Sequence, residues 1–275
     1  MTVYILKKPW KSIVYYKSVI ELAPEFINSY INTAKLFYNI NEYQRAIPIL
    51  REALKIKPDC EECLLLLGSC YLKLGSVADA VCYFERAKKQ YPHKMNSYYM
   101  LAEAYIEIQD YDAAICIMEE ASEIARDSVS VYSYLGELYY ITEDFQRAIN
   151  TFEHIIEMKI DEKSAYYRLS ECYIKNNQRF LAIDTLHRAI ANIPEYIDSY
   201  IFLVNIYFEE ELYDDAENIL IKAAKIDPDK IRVYIKNLGI VYYNREEDER
   251  LKGLYLKALK INSALAAQIR NLVVF

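Results

Sequence analysis

Two residue patterns in this chain could do chemistry. Cys60-Glu-Glu-Cys63 has the C-x-x-C spacing of zinc and redox sites. A glutamate recurs at Glu103, Glu137 and Glu171, 34 residues apart each time, and aligned carboxylates sum their fields to attract cations. The first pattern lacks partners. A structural zinc needs four ligands, commonly two such pairs, and Cys70 and His93 have no matching spacing. Ordinary packing at the start of a helix therefore accounts better for Cys63. His154 and His187 fall on expected second helices as solvated positions. No G-x-G-x-x-G, G-K-[ST], H-E-x-x-H or G-x-S-x-G occurs, so phosphate-loop, zinc-protease and hydrolase chemistry have no support. No enzymatic activity, catalytic residue, metal or cofactor is expected.

The glutamates sit inside a repeated phrase. "LAEAYIEIQDYDAAI" at 101–115 returns as "LGELYYITEDFQRAI" at 135–149, and again as "LSECYIKNNQRFLAI" from Leu169. Written in rows of 34 from Ile27, the chain falls into columns: Leu67, Leu101, Leu135, Leu169, Leu203; then Ala34, Gly68, Ala102, Gly136, Ser170. Aromatic residues align at Phe37, Tyr71, Tyr105, Tyr139, Tyr173 and Tyr207, and alanines at 46, 80, 114, 148, 182 and 216. Within a row, Tyr98, Leu101, Ala102 and Tyr105 have the i, i+3, i+4, i+7 spacing of one helical face. A polar break and a second helix follow, so each row is predicted to be a helical hairpin. Short side chains let the two helices approach, with tyrosines filling the space beside them. Pro58, Pro92, Pro194 and Pro228 are predicted to end second helices.

Composition narrows the function. Hydrophobic residues make up 53% of 275, enough for a substantial core, while 5 Gly and 7 Pro are few for loops bent around a substrate. A net charge of −7 disfavours nucleic acid and anionic membrane surfaces. Neither a secretory leader nor a membrane-spanning stretch is read from the residues. The cysteines occupy equivalent row positions (Cys82 with Cys116, Cys70 with Cys172), which predicts small buried hydrophobes and an intracellular, cytoplasmic or nuclear setting.

The 34-residue period with its Leu-Gly/Ala, Tyr, Ala, Phe/Leu, Ala and Pro columns resembles the tetratricopeptide repeat. Row 61–94 matches throughout, by Leu64, Leu67, Gly68, Tyr71, Ala80, Phe84, Ala87 and Pro92. The resemblance covers seven rows: 27–60, 61–94, 95–128, 129–162, 163–196, 197–231 and 232–265, the last displaced by one residue. Residues 1–26 are read as a half repeat carrying a second helix, and 266–275 as an apolar helix end. The implied fold is all-α, a right-handed α-solenoid superhelix of stacked antiparallel helical hairpins.

In such arrays the first helices line a concave face, and the resemblance so implies a groove. Its central column is Lys35, Ser69, Glu103, Glu137, Glu171 and Asn205, edged by Tyr99, Tyr167, Ile106, Tyr140, Ile174 and Phe208. Two readings stand. The glutamates line a site for a basic or amphipathic peptide of a partner protein, or they are helix formers on a solvated face. A clamp for a terminal carboxylate does not fit, since glutamates separate Lys35 from Asn205. The chain is thus expected to be a non-catalytic protein-interaction scaffold. The alternative is a structural subunit of a larger assembly of the ubiquitin-ligase, ciliary-transport or secretion type, or a homodimeric scaffold. For that alternative, Trp10, Tyr15 and Tyr16 at one end and Leu272, Val273, Val274 and Phe275 at the other are the predicted interface.

Overall fold

The computed structural model describes residues 9–158 and 161–273, so Val274 and Phe275 lie outside the described residues. Among these the chain is helical without strands. It divides into two compact units, Met1–Leu138 and Tyr139–Phe275. The first contains α1 (Pro9–Leu22), α2 (Ile27–Asn39), α3 (Tyr43–Ile56), α4 (Glu61–Lys73), α5 (Val77–Gln90), α6 (Asn96–Glu107), α7 (Tyr111–Ile124) and most of α8 (Val129–Ile141). The second continues with α9 (Phe145–Glu157), α10 (Lys163–Lys175), α11 (Arg179–Asn192), α12 (Ile197–Glu209), α13 (Tyr213–Ala224), α14 (Pro228–Asn244), α15 (Asp248–Ile261) and the single turn α16 (Ser263–Ala266). In each unit successive helices pack on one another. First helices also touch their equivalents in the next pair, α2 with α4 and α4 with α6 in one unit, α10 with α12 in the other. The first helices α2, α4 and α6 thereby form a layer in the first unit, and α10 with α12 form one in the second.

The columns predicted to be buried are buried. Ala46, Ala80, Ala114, Ala148, Ala182 and Ala216 are all 0% exposed. An ideal Cβ on Gly68 would come within 2.4 Å of the Phe84 ring, so glycine there admits phenylalanine on the facing helix. Columns trade volume accordingly. Gly68 goes with Phe84, whereas Ala34 goes with Leu50 and Ala102 with Met118. Summed volume stays nearly constant, as dense packing demands.

Each turn within a hairpin repeats one backbone device. Asn41, Gly75, Gln109, Glu143, Asn177, Glu211 and Glu246 all have positive φ, between 57° and 76°. The residue after each donates its N–H to a carbonyl five residues back, as in Ser76 to Tyr71 at 2.9 Å and Asp144 to Tyr139 at 2.8 Å. Gly75 also donates to Leu72 at 3.0 Å, which completes a Schellman closure of the first helix. Six of the seven positions hold residues other than glycine, each strained by ~1–2 kcal/mol in the left-handed region. Asp110 and Asp144 then cap the second helices, accepting from Ala113 N–H and Arg147 N–H at 3.1 Å.

The tyrosines do more than fill space. Tyr207 pairs its hydroxyl with His187 Nε2 at 3.0 Å, and Tyr242 donates to Glu217 at 2.7 Å. His187, expected to be merely solvated, is therefore tied to the neighbouring pair. Tyr98 and Tyr200, 102 residues apart, donate to the carbonyls of Pro92 and Pro194 at 3.0 and 2.9 Å. The prolines at 58, 92 and 194 follow helix ends by two residues, as expected. Pro228 instead opens α14, with Asp227 as its cap. There the missing N–H is harmless because a first-turn N–H has no helical partner.

Candidate partner-binding faces

The first-helix layer holds the residues singled out for binding. In the first unit, Glu103 on α6 is exposed and lines a cleft of about 640 Å³ with Lys73, Ile106, Glu107 and Tyr134. Tyr99 and Tyr134 pair at 5.5 Å between ring centroids, tilted by 54°. Burial pushes the Tyr134 hydroxyl up to about 12, with Glu103 and Tyr99 adding to the rise. Lys35 forms an ion pair with Glu62, and Ser69 donates to the Leu65 carbonyl at 2.9 Å. Glu137 is half-buried on α8.

In the second unit, Glu171 differs from Glu103. It accepts from Arg168 at 2.8 Å on its own helix, and Arg168 also lies 5.4 Å above the Tyr140 ring. Its charge is largely spent locally. Tyr140 and Phe208 pack edge-on against Phe145 and Tyr213, at 5.9 and 5.8 Å, across their hairpin turns. Ile174 is half-buried. Tyr167 pairs with Phe202 at 5.0 Å and lines a cavity of about 360 Å³ with Tyr196, Asp198, Ile201, Phe202 and Asn205.

The two aromatic pairs occupy the same columns. Tyr167 stands 68 residues after Tyr99, and Phe202 stands 68 after Tyr134. Sequence reading named Tyr99 and Tyr167 but missed Tyr134, Phe202, Tyr196 and Asp198. Their partners sit 35 residues on, one beyond the repeat, because the ring leans across to the neighbouring first helix. A comparison of columns at that offset would have found them.

Cys60 and Cys63 serve packing and capping. The Cys60 sulfur accepts from the Cys63 N–H at 3.3 Å as the N-cap of α4. Burial raises the Cys63 thiol and pushes Cys70 up to about 12, which opposes the thiolate that zinc or redox chemistry needs. Among the described residues, no three His, Cys, Asp or Glu gather to hold a metal. The expectation that the cysteines are buried fails for Cys82 and Cys116, which lie exposed on second helices.

The two ends differ. On α1, Trp10 and Tyr15 are 51% and 66% exposed, and Tyr16 is half-buried. At the other end the described residues do not continue the helix, and Val274 and Phe275 of the expected interface lie outside them. After α16 the chain turns back in a 3-10 turn, Arg270–Leu272, against α14. Ile269 is fully buried beside Gly239, Leu272 is half-buried and Val273 is 8% exposed. Among the described residues no helix is long and apolar enough to cross a membrane.

Family comparisons agree with this architecture. Residues 197–230 and 164–195 each match a tetratricopeptide-repeat model. Residues 12–87 and 41–121 match the model of anaphase-promoting complex, cyclosome, subunit 3. No curated protein matches the sequence. Among solved structures, a crystal structure of MamA protein is 24% identical with a TM-score of 0.51, covering 62% of this chain and 92% of its own. The human IFIT1 dimer with m7Gppp-AAAA is 19% identical with a TM-score of 0.51, covering 94% of this chain and 65% of its own. These likenesses are of fold. With its columns, paired helices and family matches, the chain carries tetratricopeptide repeats.

Proposed function

We propose that this repeat scaffold holds a peptide segment of a partner protein on its first-helix faces. The observation that carries the reading is the recurrence of an aromatic pair, Tyr99 with Tyr134 and Tyr167 with Phe202, beside a cleft in each unit. Paired rings that only filled the core would be fully buried; these are half-buried. Aromatic anchors flanked by Glu103, Asp198 and Asn205 suit an extended or helical segment with basic and apolar side chains.

Selection from a random 12-residue peptide library on the immobilised chain tests this. Enriched peptides should lose capture on Tyr99→Ala/Tyr134→Ala or Tyr167→Ala/Phe202→Ala variants that stay folded. Capture unaffected by both pairs would refute the assignment of these faces.

A second reading, a subunit of a larger assembly or a homodimer, is favoured by α1. Trp10, Val14, Tyr15 and Leu22 are 51–87% exposed there. Light scattering decides the homodimer: a concentration-independent monomer mass removes it.

A further inference from the structure

The cavity between α10 and α12 adds a third ring to its aromatic pair, where the equivalent position 68 residues earlier is Ser128. Tyr167 and Phe202 form two walls, their rings tilted by 42° at 5.0 Å, and Tyr196 closes a third from the turn before α12. All three are half-buried, and Asp198 and Asn205 stand exposed at the rim. Its volume, about 360 Å³, lies at the small end of ligand pockets, roughly 300–1,000 Å³. That suits one side chain.

We propose that this cavity is a receptor for a cationic side chain, an arginine or lysine of the partner segment. The proposal rests on the reading of the first-helix faces as the peptide-binding surface. Aromatic faces carry negative quadrupoles that attract cations, and Asp198 adds a full charge at the rim. Burial raises the Tyr196 hydroxyl first, and the Asp198 carboxylate adds to the rise. Two cations oppose the carboxylates here, and both are engaged. Arg168 is bonded to Glu171 at 2.8 Å. Lys230 lies 4.0 Å from Asp198, an ion pair without a hydrogen bond, so a guest cation that donates to the carboxylate would displace it. Asp198 also offsets the positive end of the α12 dipole, sitting in that helix's first turn. A purely apolar guest would cover Asp198 without pairing it, at a desolvation cost. An anionic guest would be repelled.

The test is an NMR titration of the full chain, labelled at tyrosine and phenylalanine side chains, with N-acetylarginine amide, N-acetyllysine amide and the neutral isostere N-acetylcitrulline amide. The two cations should give saturable shifts at Tyr167, Tyr196 and Phe202, and the citrulline derivative should bind several-fold more weakly. Phe202→Leu should weaken the arginine derivative about two- to fivefold, the range of an exposed cation–aromatic contact. Asp198→Asn should do so by up to about fivefold. Phe202→Tyr, which keeps the ring face, should retain binding and controls for misfolding. Equal binding of the citrulline derivative, or no saturable shift from any cation, overturns the receptor. Library peptides that need Tyr167 and Phe202 yet show no fixed basic position also overturn it while leaving the peptide-binding reading intact. A library in which nothing depends on Tyr167 and Phe202 or on Tyr99 and Tyr134 removes both.

Discussion

Gly68 and Phe84 give the sharpest test of how the rows pack. An added Cβ at Gly68 would sit 2.4, 2.7 and 2.9 Å from three atoms of the Phe84 ring. Ordinary contact begins at 3.4 Å, so the ring would have to retreat by 1.0 Å, the difference of the two distances. Phe84 is 0% exposed and has nowhere to go. Overpacking costs ~1–3 kcal/mol, while replacing glycine by alanine in a helix returns ~1 kcal/mol. A 1.0 Å overlap with a fully buried ring takes the upper part of that range, ~2–3 kcal/mol, so the net prediction for Gly68→Ala is a loss of about 1–2 kcal/mol. Phe84→Leu alone leaves a void and should cost about 1–1.5 kcal/mol. The double variant reproduces the Ala34/Leu50 combination of an earlier row. It should therefore fall within about 1 kcal/mol of the parent, a favourable coupling of roughly 1.5–2 kcal/mol. Gly253→Ala is the control, for no atom lies within 4 Å of its would-be Cβ in α15. It should stabilise by about 0.5–1 kcal/mol. Urea midpoints at constant slope measure all four. Strict additivity of the two changes, or a Gly68→Ala variant as stable as the parent, would refute the volume-trading account.

The left-handed turn column predicts that Gln109→Gly and Glu143→Gly each raise stability by about 0.5–1 kcal/mol, while Gly75→Ala lowers it by a similar amount, by thermal unfolding. Ala148→Arg, placing a guanidinium at a 0% exposed position, should destabilise by at least about 3 kcal/mol or prevent folding, seen in the same scans. Thiol labelling followed by mass spectrometry should modify Cys82 and Cys116 in the native chain and spare Cys63 and Cys70, whose burial holds the thiolate off; all six should react in denaturant. Glu103→Gln should reduce capture of a basic library peptide more than Glu171→Gln does, because Glu171 is already bonded to Arg168. Equal losses would mean that ion pair does not persist.

The helical hairpins were legible because helix packing at a fixed period forces small and large residues into columns, and Ala46 through Ala216 never break theirs. The αL turn was not legible by composition: one glycine at 75 among Asn, Gln and Glu hides a shared backbone state that the Schellman bonds impose. Cys82 and Cys116 were misjudged because equivalence of position says nothing about which face that position occupies. At the C-terminal end, Gly239 leaves room for Ile269 to fold back, a packing that the apolar residues after the last row did not announce. At the binding faces the glutamate column was conspicuous and the aromatic pairs were not. Their partners are offset by one residue from the repeat, and Arg168 removes one glutamate from play through a contact that no spacing in the central column reveals.

The central claim, that partners are held on the first-helix faces, is tested most directly by site-specific photo-crosslinking in the native host. A photoreactive side chain would be placed at Glu103 or Asn205 on first helices and, separately, at Cys116 or Glu119 on α7, a second helix. Crosslinks to partner proteins concentrated at Glu103 and Asn205, and lost on Tyr167→Ala/Phe202→Ala, are the predicted result. Crosslinks forming equally or mainly from Cys116 and Glu119 would contradict it.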